Sequence, residues 1–219
     1  MKTKIFFNFL SLGLILGISQ SFIFLLPITI LIYFLFLKKI YKMESYLEGS
    51  LCSWTLGFGF FLGSMHWMIN PFLIYEKHFY LVPLGALVFP ILMGLFFIIP
   101  VNLIIFFAKN FQLLKRRIFL KSLIVSIFFF SSEILRSKLF GGLPLNLTGH
   151  FWAFNSEFIQ ITKFFGFFGL SFLTIIWFVL ISNLLIEKRF KTSCLIFFFF
   201  PVIFLSFNFI NQDKKKIKN

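Results

Sequence analysis

Cysteine and arginine are scarce in this chain, and acidic residues are few. Two cysteines, Cys52 and Cys194, stand among 219 residues. They could close one disulfide, but their spacing matches neither a disulfide framework nor a metal site. Each reads as a buried small hydrophobe, and no metal or cofactor is expected. Charged residues make up 13% of the chain, and 7 acidic against 21 basic residues leave a formal net charge of +14. An excess of that size suggests nucleic acid, but the basic residues cluster in short loops between apolar runs. No folded basic face is left to hold a duplex, so nucleic acid is not expected as a partner.

What fills the chain is hydrocarbon. It is 59% hydrophobic with 40 phenylalanines, where soluble domains sit near 45–50% apolar. Apolar runs cover Ile5–Ile18, Phe22–Leu37, Leu51–Ile69, Leu81–Ala108, Phe119–Leu135, Phe165–Ile186 and Cys194–Ile210. Repeated runs of about 18 or more apolar residues argue for spans rather than a soluble core. The expected fold is all-α, a polytopic transmembrane helix bundle of about seven spans over residues 1–210, integral to the membrane. Lys2 and Lys4 before the first run resemble a signal-peptide start, and Ser19-Gln20-Ser21 would be a poor cleavage site. The second run follows at once, which favours an uncleaved anchor.

Loop charge sets the expected orientation. With the N-terminus inside, three internal loops carry Lys38, Lys39 and Lys42, then Lys109, Lys115, Arg116, Arg117 and Lys121, then Lys188, Arg189 and Lys191. The outside loops carry only Lys77, Arg136, Lys138 and Lys163. That asymmetry is the one the positive-inside rule describes. Merging the first two runs would separate the N-terminus from the Lys38–Lys42 loop, so separate spans are the better reading.

Pro83, Pro90 and Pro100 in the fourth run predict a kinked helix whose freed carbonyls find partners on its neighbours. Gly59 and Gly63 form a small-xxx-small step that admits a second helix closely. Trp67 falls near the outer interface, and His66 beside it reads as a hydrogen-bonded helix-end histidine or as a ligand. An outside loop is expected over 137–164. Its second half, from Phe151 to Phe164, mixes aromatic and polar residues without the length to span, as an interfacial segment or an anchored loop would.

The stretch from Ser131 to Gly149 departs from this pattern. Glu133 and Arg136 close an apolar run, a Gly-Gly-x-Pro turn follows at 141–144, and Asn146 comes next. Ionisable groups at bilayer depth cost roughly 2.5–3.5 kcal/mol each, so a pairing or functional role is the default. The i, i+3 spacing puts Glu133 and Arg136 on one helix face, where they can pair.

Three blocks in order now resemble one family, the apolipoprotein N-acyltransferases. Gly57-Phe-Gly59-Phe-Phe with Trp67 resembles a motif of the family's third span. Glu133-Ile-Leu-Arg136, then Gly142-Leu-Pro144-Leu-Asn146-Leu-x-Gly149, resembles its Glu-Trp-Leu-Arg and Gly-Phe-Pro-Trp-x-x-x-Gly element. Gln160, Gly166-Phe-Phe-Gly169-Leu-Ser171-Phe and Asn183 resemble its Gly-x-x-Gly-x-Ser-Phe span. The likeness covers roughly residues 50 to 186, and Ile134 and Leu145 stand where the family usually has tryptophan.

The resemblance implies a bacterial inner-membrane protein of lipoprotein biosynthesis. Its implied partners are a phospholipid acyl donor and a lipoprotein substrate acylated at its lipid-modified N-terminal cysteine. It implies that Glu133, Arg136, Pro144 and Asn146 line or brace a lipid cavity, with Gly59, Gly63, Gly166 and Gly169 packing helices. The family's activity resides in a nitrilase-like domain with a Glu base, a Lys and a Cys nucleophile, a set needed to activate the thiol and bind the oxyanion. That domain would begin where the basic tail 211–219 lies, and neither cysteine here has such a set beside it. The expectation is a membrane domain truncated or separated from its catalytic partner. A frame slip in A-rich codons for Lys214–Lys216 is one account of the border. The alternatives are a non-catalytic subunit docking a separate nitrilase-like protein, or an unrelated small lipid-handling carrier.

No catalytic residue is therefore assigned. The 219-residue polypeptide, purified and reconstituted alone, is expected to transfer no acyl group; thiol-dependent turnover by it would overturn that expectation.

Overall fold

The computed structural model describes residues 2–139, 144–154, 156–160 and 162–202. Within them lie seven principal helical stretches and no strand. They are α1 (Lys2–Ser19), α2 (Leu26–Ile40), α3 (Tyr46–Ser64), α4 (Glu76–Asn110), α5 (Ile118–Leu139), α6 (Thr162–Ile186) and α7 (Phe190–Val202). The Gly141–Gly142 turn, the end of the seventh run beyond Val202 and the tail 211–219 lie outside the described residues.

The chain is an all-α bundle. Four stretches, Ile23–Ile40, Glu76–Asn110, Ile118–Leu139 and Thr162–Ile186, are long and apolar enough to cross a membrane. Two further apolar helices, Phe6–Ser19 and Phe190–Val202, are shorter. α3 spans 19 residues but carries Glu48 and the glycines Gly49, Gly57, Gly59 and Gly63. A count of about seven is thus an approximation, because each apolar run falls on a helix but the helices differ in length and apolarity. Large apolar side chains such as Phe24, Leu47, Ile74 and Phe198 face outward, the reverse of a soluble surface.

The closest helix pair is α1 with α3. Gly13 and Gly17 on α1 meet Gly59 and Gly63 on α3, so the two backbones touch. A Cβ at Gly17 would stand 2.2 Å from the Phe60 carbonyl oxygen, and one at Gly59 would stand 2.4 Å from that of Leu10. Only hydrogen fits there, which is why small residues recur four apart on both helices. On its other side α3 meets α4, where a Cβ at Gly94 would lie 2.8 Å from the Phe58 nitrogen.

α4 is irregular for covalent reasons. It passes through a 3-10 turn (Glu76–Leu81), a π turn (Leu84–Val88), a short α segment, a second 3-10 turn and a final α segment (Ile98–Asn110). Proline lacks the N–H that would bond four residues back, so Pro100 frees the carbonyl of Phe96. The Ser132 hydroxyl on α5 donates to that oxygen. Trp54 Nε1 on α3 likewise donates to the Ile91 carbonyl at 3.1 Å. Neighbouring side chains therefore restore what the broken helix loses.

At one end of the bundle, polar groups tie α2, α5 and α6 together. Lys121 Nζ sits 2.9 Å from Glu187, and the Tyr41 hydroxyl donates to Asn183 Oδ1 at 2.9 Å. Asn183 Nδ2 in turn donates to Ser122 at 2.8 Å. α7 closes onto α6 through Trp177, whose Nε1 donates to the Ile196 carbonyl and whose ring stacks on Phe200. Cys52 is buried but Cys194 is exposed on α7, so only the first is a core filler; both are free thiols.

Adding one methyl group at the α1–α3 contact tests this packing. Gly17→Ala is expected to lower unfolding stability in detergent by about 1–3 kcal/mol, since the neighbour is backbone and cannot swing aside. Denaturant titration against Leu195→Ala is a fitting comparison, because that side chain is exposed on α7.

Candidate functional site

Non-helical backbone enters the end of the bundle opposite Lys121 and Glu187. Residues 144–147 run without helix into a 3-10 turn, Thr148–Trp152, between α5 and α6. Peptide groups drawn in among apolar helices need partners that hydrocarbon side chains cannot supply. Side chains from three helices provide them. Arg136 Nη2 on α5 donates to the carbonyls of Leu145 and Asn146 at 2.9 and 3.0 Å. One turn earlier, Glu133 Oε1 accepts from the Thr148 amide at 3.0 Å and from the Thr148 hydroxyl. Gln20, just past α1, donates to the Leu147 carbonyl at 2.9 Å. Ser171 Oγ on α6 accepts from the Gly149 amide at 3.0 Å.

Glu133 and Arg136 therefore do not form the direct ion pair that their spacing allows. Each turns to the loop instead, because the loop's amides and carbonyls offer better-aligned partners than a side chain one turn away. The Arg136 guanidinium also lies 4.9 Å from the centre of the Phe61 ring, a cation–π contact.

Asn146 is left-handed, with φ of 46°, a conformation that asparagine tolerates better than most residues. That turn brings its side-chain amide to the Ser64 hydroxyl at the end of α3. Gly149 is required by proximity: a Cβ there would lie 2.8 Å from Ser171 Oγ. Pro144 is exposed and lies outside the two cavities that share this loop. Gly166 takes φ of 67° and marks a kink near the start of α6, and a Cβ at Gly169 would meet its own helix at Phe165. Of the four glycines expected to pack helices, Gly59 and Gly63 stand at the α1–α3 contact.

At the head of the segment from Phe151 to Phe164, Phe151 and Trp152 are buried, and Trp152 Nε1 donates to Thr174 on α6 at 2.9 Å. Further along, Phe154 and Phe164 are exposed. Asn155 and Ile161 lie outside the described residues.

Two cavities share this loop. An inner one of about 40 Å³ is lined by Tyr33, Ser132, Glu133, Arg136 and Thr148 among mostly aromatic walls. An outer cleft of about 380 Å³ is lined by Ser21, Ser64, His66, Trp67, His150 and Phe154. Gln20, Asn146 and Phe151 border both. The outer cleft falls within the range of about 300–1,000 Å³ typical of small-molecule sites. His66 Nδ1 pairs with the Gly63 carbonyl and His150 Nδ1 with that of Leu147, each at 3.0 Å. Among the described residues no group of histidine, cysteine and carboxylates could hold a metal ion.

Sequence reasoning singled out Glu133, Arg136 and Asn146 but missed Gln20, Tyr33, Ser64 and Thr148. Gln20 was visible as a lone amide between two apolar runs, and Thr148 as the hydroxyl beside Asn146. Tyr33 and Ser64 carry no local signal.

Four helices long and apolar enough to cross a membrane, with a polar loop drawn into one end of the bundle, define the class as a membrane protein. The sequence model described as the apolipoprotein N-acyltransferase N-terminal domain matches residues 12–180, and the chain belongs to that family. It is similar to the apolipoprotein N-acyltransferase of Rickettsia bellii (strain RML369-C), 29% identical over 167 residues that cover 76% of this chain and 32% of the relative. For the apolipoprotein N-acyltransferase of Rickettsia prowazekii (strain Madrid E) the identity is 30% over 175 residues, covering 80% and 33%. That of Rickettsia typhi (strain ATCC VR-144 / Wilmington) is 30% identical over 178 residues, covering 80% and 33%. The chain thus spans about a third of the length of the curated relatives it matches.

His150 gives the site a pH signature. Burial holds its pKa below the usual 6.5, the nearby Arg136 charge pushes the same way, and the Leu147 carbonyl opposes them. The neutral ring is the folded form, so its stabilisation is present above pH 6.5 and is lost as pH falls towards the lower folded value. Thermal melts between pH 7.5 and 5 should show the wild type losing stability on acidification more steeply than His150→Gln.

Proposed function

We propose that this chain is the part of an apolipoprotein N-acyltransferase that holds phospholipid acyl donor and lipidated substrate within reach of a nitrilase-like catalytic domain. The reaction so served would be N-acylation of the lipid-modified N-terminal cysteine of bacterial lipoproteins. The outer cleft stacked on the Glu133–Arg136–Asn146 loop carries this reading. It combines a mixed polar and apolar lining with side chains held in place by the hydrogen bonds beneath them. Rigid support of that kind is what a positioning site needs, since small displacements of a reacting group cost large factors in rate.

Charge placement supports the orientation. Lys38, Lys39, Lys121, Lys188 and Arg189 gather at the end of the bundle away from the cleft. By the positive-inside rule that end faces the cytoplasm, and the cleft opens to the outer side of a multi-pass inner-membrane protein. The walls contributed by Trp67 and Phe154, both exposed, suit contact with an amphiphile at the interface.

Arg136 is the residue to change. In a full-length family enzyme carrying this membrane sequence, Arg136→Ala should lower lipid-dependent turnover in proteoliposomes by roughly tenfold or more, through loss of two charge-assisted hydrogen bonds. Leu139→Ala, on an exposed face, should leave turnover unchanged. Unchanged turnover in Arg136→Ala would count against the assignment.

A further inference from the structure

Glu133 and Arg136 are each half-satisfied. Oε1 of Glu133 and Nη2 of Arg136 bond the loop, but Oε2 of Glu133 and Nε of Arg136, both sealed from the surface, find no protein partner. Arg136 is only 4% exposed. Both residues line the inner cavity of about 40 Å³, together with the hydroxyl-bearing Ser132, Tyr33 and Thr148. A buried water needs about 10–15 Å³ of such space and two to four polar partners, so this cavity has room for two or three. Small-molecule sites begin near 300 Å³, and an acyl chain has no room here.

We propose that the inner cavity is a closed hydration site, in which bound water bridges Glu133 Oε2 and Arg136 Nε. The water completes by relay the ion pair that the two side chains do not make directly. Buried polar groups are paired with protein or ordered water as a rule, and these two atoms have only the second choice. The bridge also ties the two loop anchors to each other, so that the Leu145–Thr148 backbone is held by one connected network. Acyl chains are thereby kept out of the bundle interior, and any amphiphile must sit in the wider cleft beyond Gln20, Asn146 and Phe151. The orphan atoms and the cavity volume carry this inference independently of the family's activity.

Radiolytic labelling tests it in the wild type and in one variant. The 219-residue chain in phospholipid nanodiscs is given short X-ray pulses in heavy-oxygen water, which turn bound water into radicals that mark adjacent side chains. Tyr33 and Phe129, on the cavity wall, are expected to take up label about tenfold faster than Phe128, which is likewise half-buried but lines neither cavity. Glu133→Leu should bring Tyr33 down to the Phe128 rate. Equal labelling of Tyr33 and Phe128 in the wild type would overturn the proposal. So would label present in short-chain detergent but lost in long-chain phospholipid, since an acyl chain would then fill the cavity. Label at Tyr33 unchanged in a folded Glu133→Leu chain would overturn it too, by removing the carboxylate from the bridge.

Discussion

Unpaired backbone is the constraint on which this molecule turns. Residues 144–147 run between helices without helical structure and lead into the 3-10 turn at Thr148–Trp152, drawn in among apolar helices that offer no hydrogen bonds in return. Each exposed peptide group left unsatisfied would cost several kcal/mol. Arg136 (for Leu145 and Asn146), Gln20 (Leu147), Glu133 (Thr148) and Ser171 (Gly149) answer for these backbone groups in turn. Charged residues that look out of place on an apolar helix are there because a loop needs them. The cleft above exists because that loop is held down.

The scaffold follows from two small-scale chemical facts. Glycine lets α1 and α3 touch along their backbones, which fixes the positions of Gln20 and Ser64 at the ends of those helices. Proline breaks α4, and the freed Phe96 carbonyl recruits Ser132, one residue before Glu133 on α5. The same helix that repairs α4 therefore presents the loop anchors. At the far end, Lys121, Glu187, Tyr41 and Asn183 clamp α2, α5 and α6. Polar groups gather at the two ends and hydrocarbon fills the space between, as a bilayer demands.

Helical character and apolar runs were legible in the sequence because hydrophobic length is written residue by residue. Glu133, Arg136 and Asn146 stood out because polar groups in such a chain are rare and costly. What they do was less legible. Their spacing suggested a mutual ion pair, whereas the partners are backbone groups of Leu145, Asn146 and Thr148, which no side-chain pattern advertises. The Gly13–Gly17 step on α1 was hidden in a run scanned for a leader segment. The burial of Phe151 and Trp152 was not legible locally, because it depends on α6 residues such as Thr174 and Trp177, more than twenty positions further on.

In the proposed reading the outer cleft is the working end of this domain, and the inner cavity is too small for lipid. The most direct test uses a phospholipid carrying a photoreactive diazirine near its glycerol group, reconstituted with the chain in nanodiscs. Crosslinks mapped by mass spectrometry should concentrate at Trp67, His150, Ala153 and Phe154, and should be competed by unlabelled phospholipid. Crosslinks confined to the opposite end, around Tyr41 to Leu47, or spread evenly over the outward-facing apolar surface, would contradict the account.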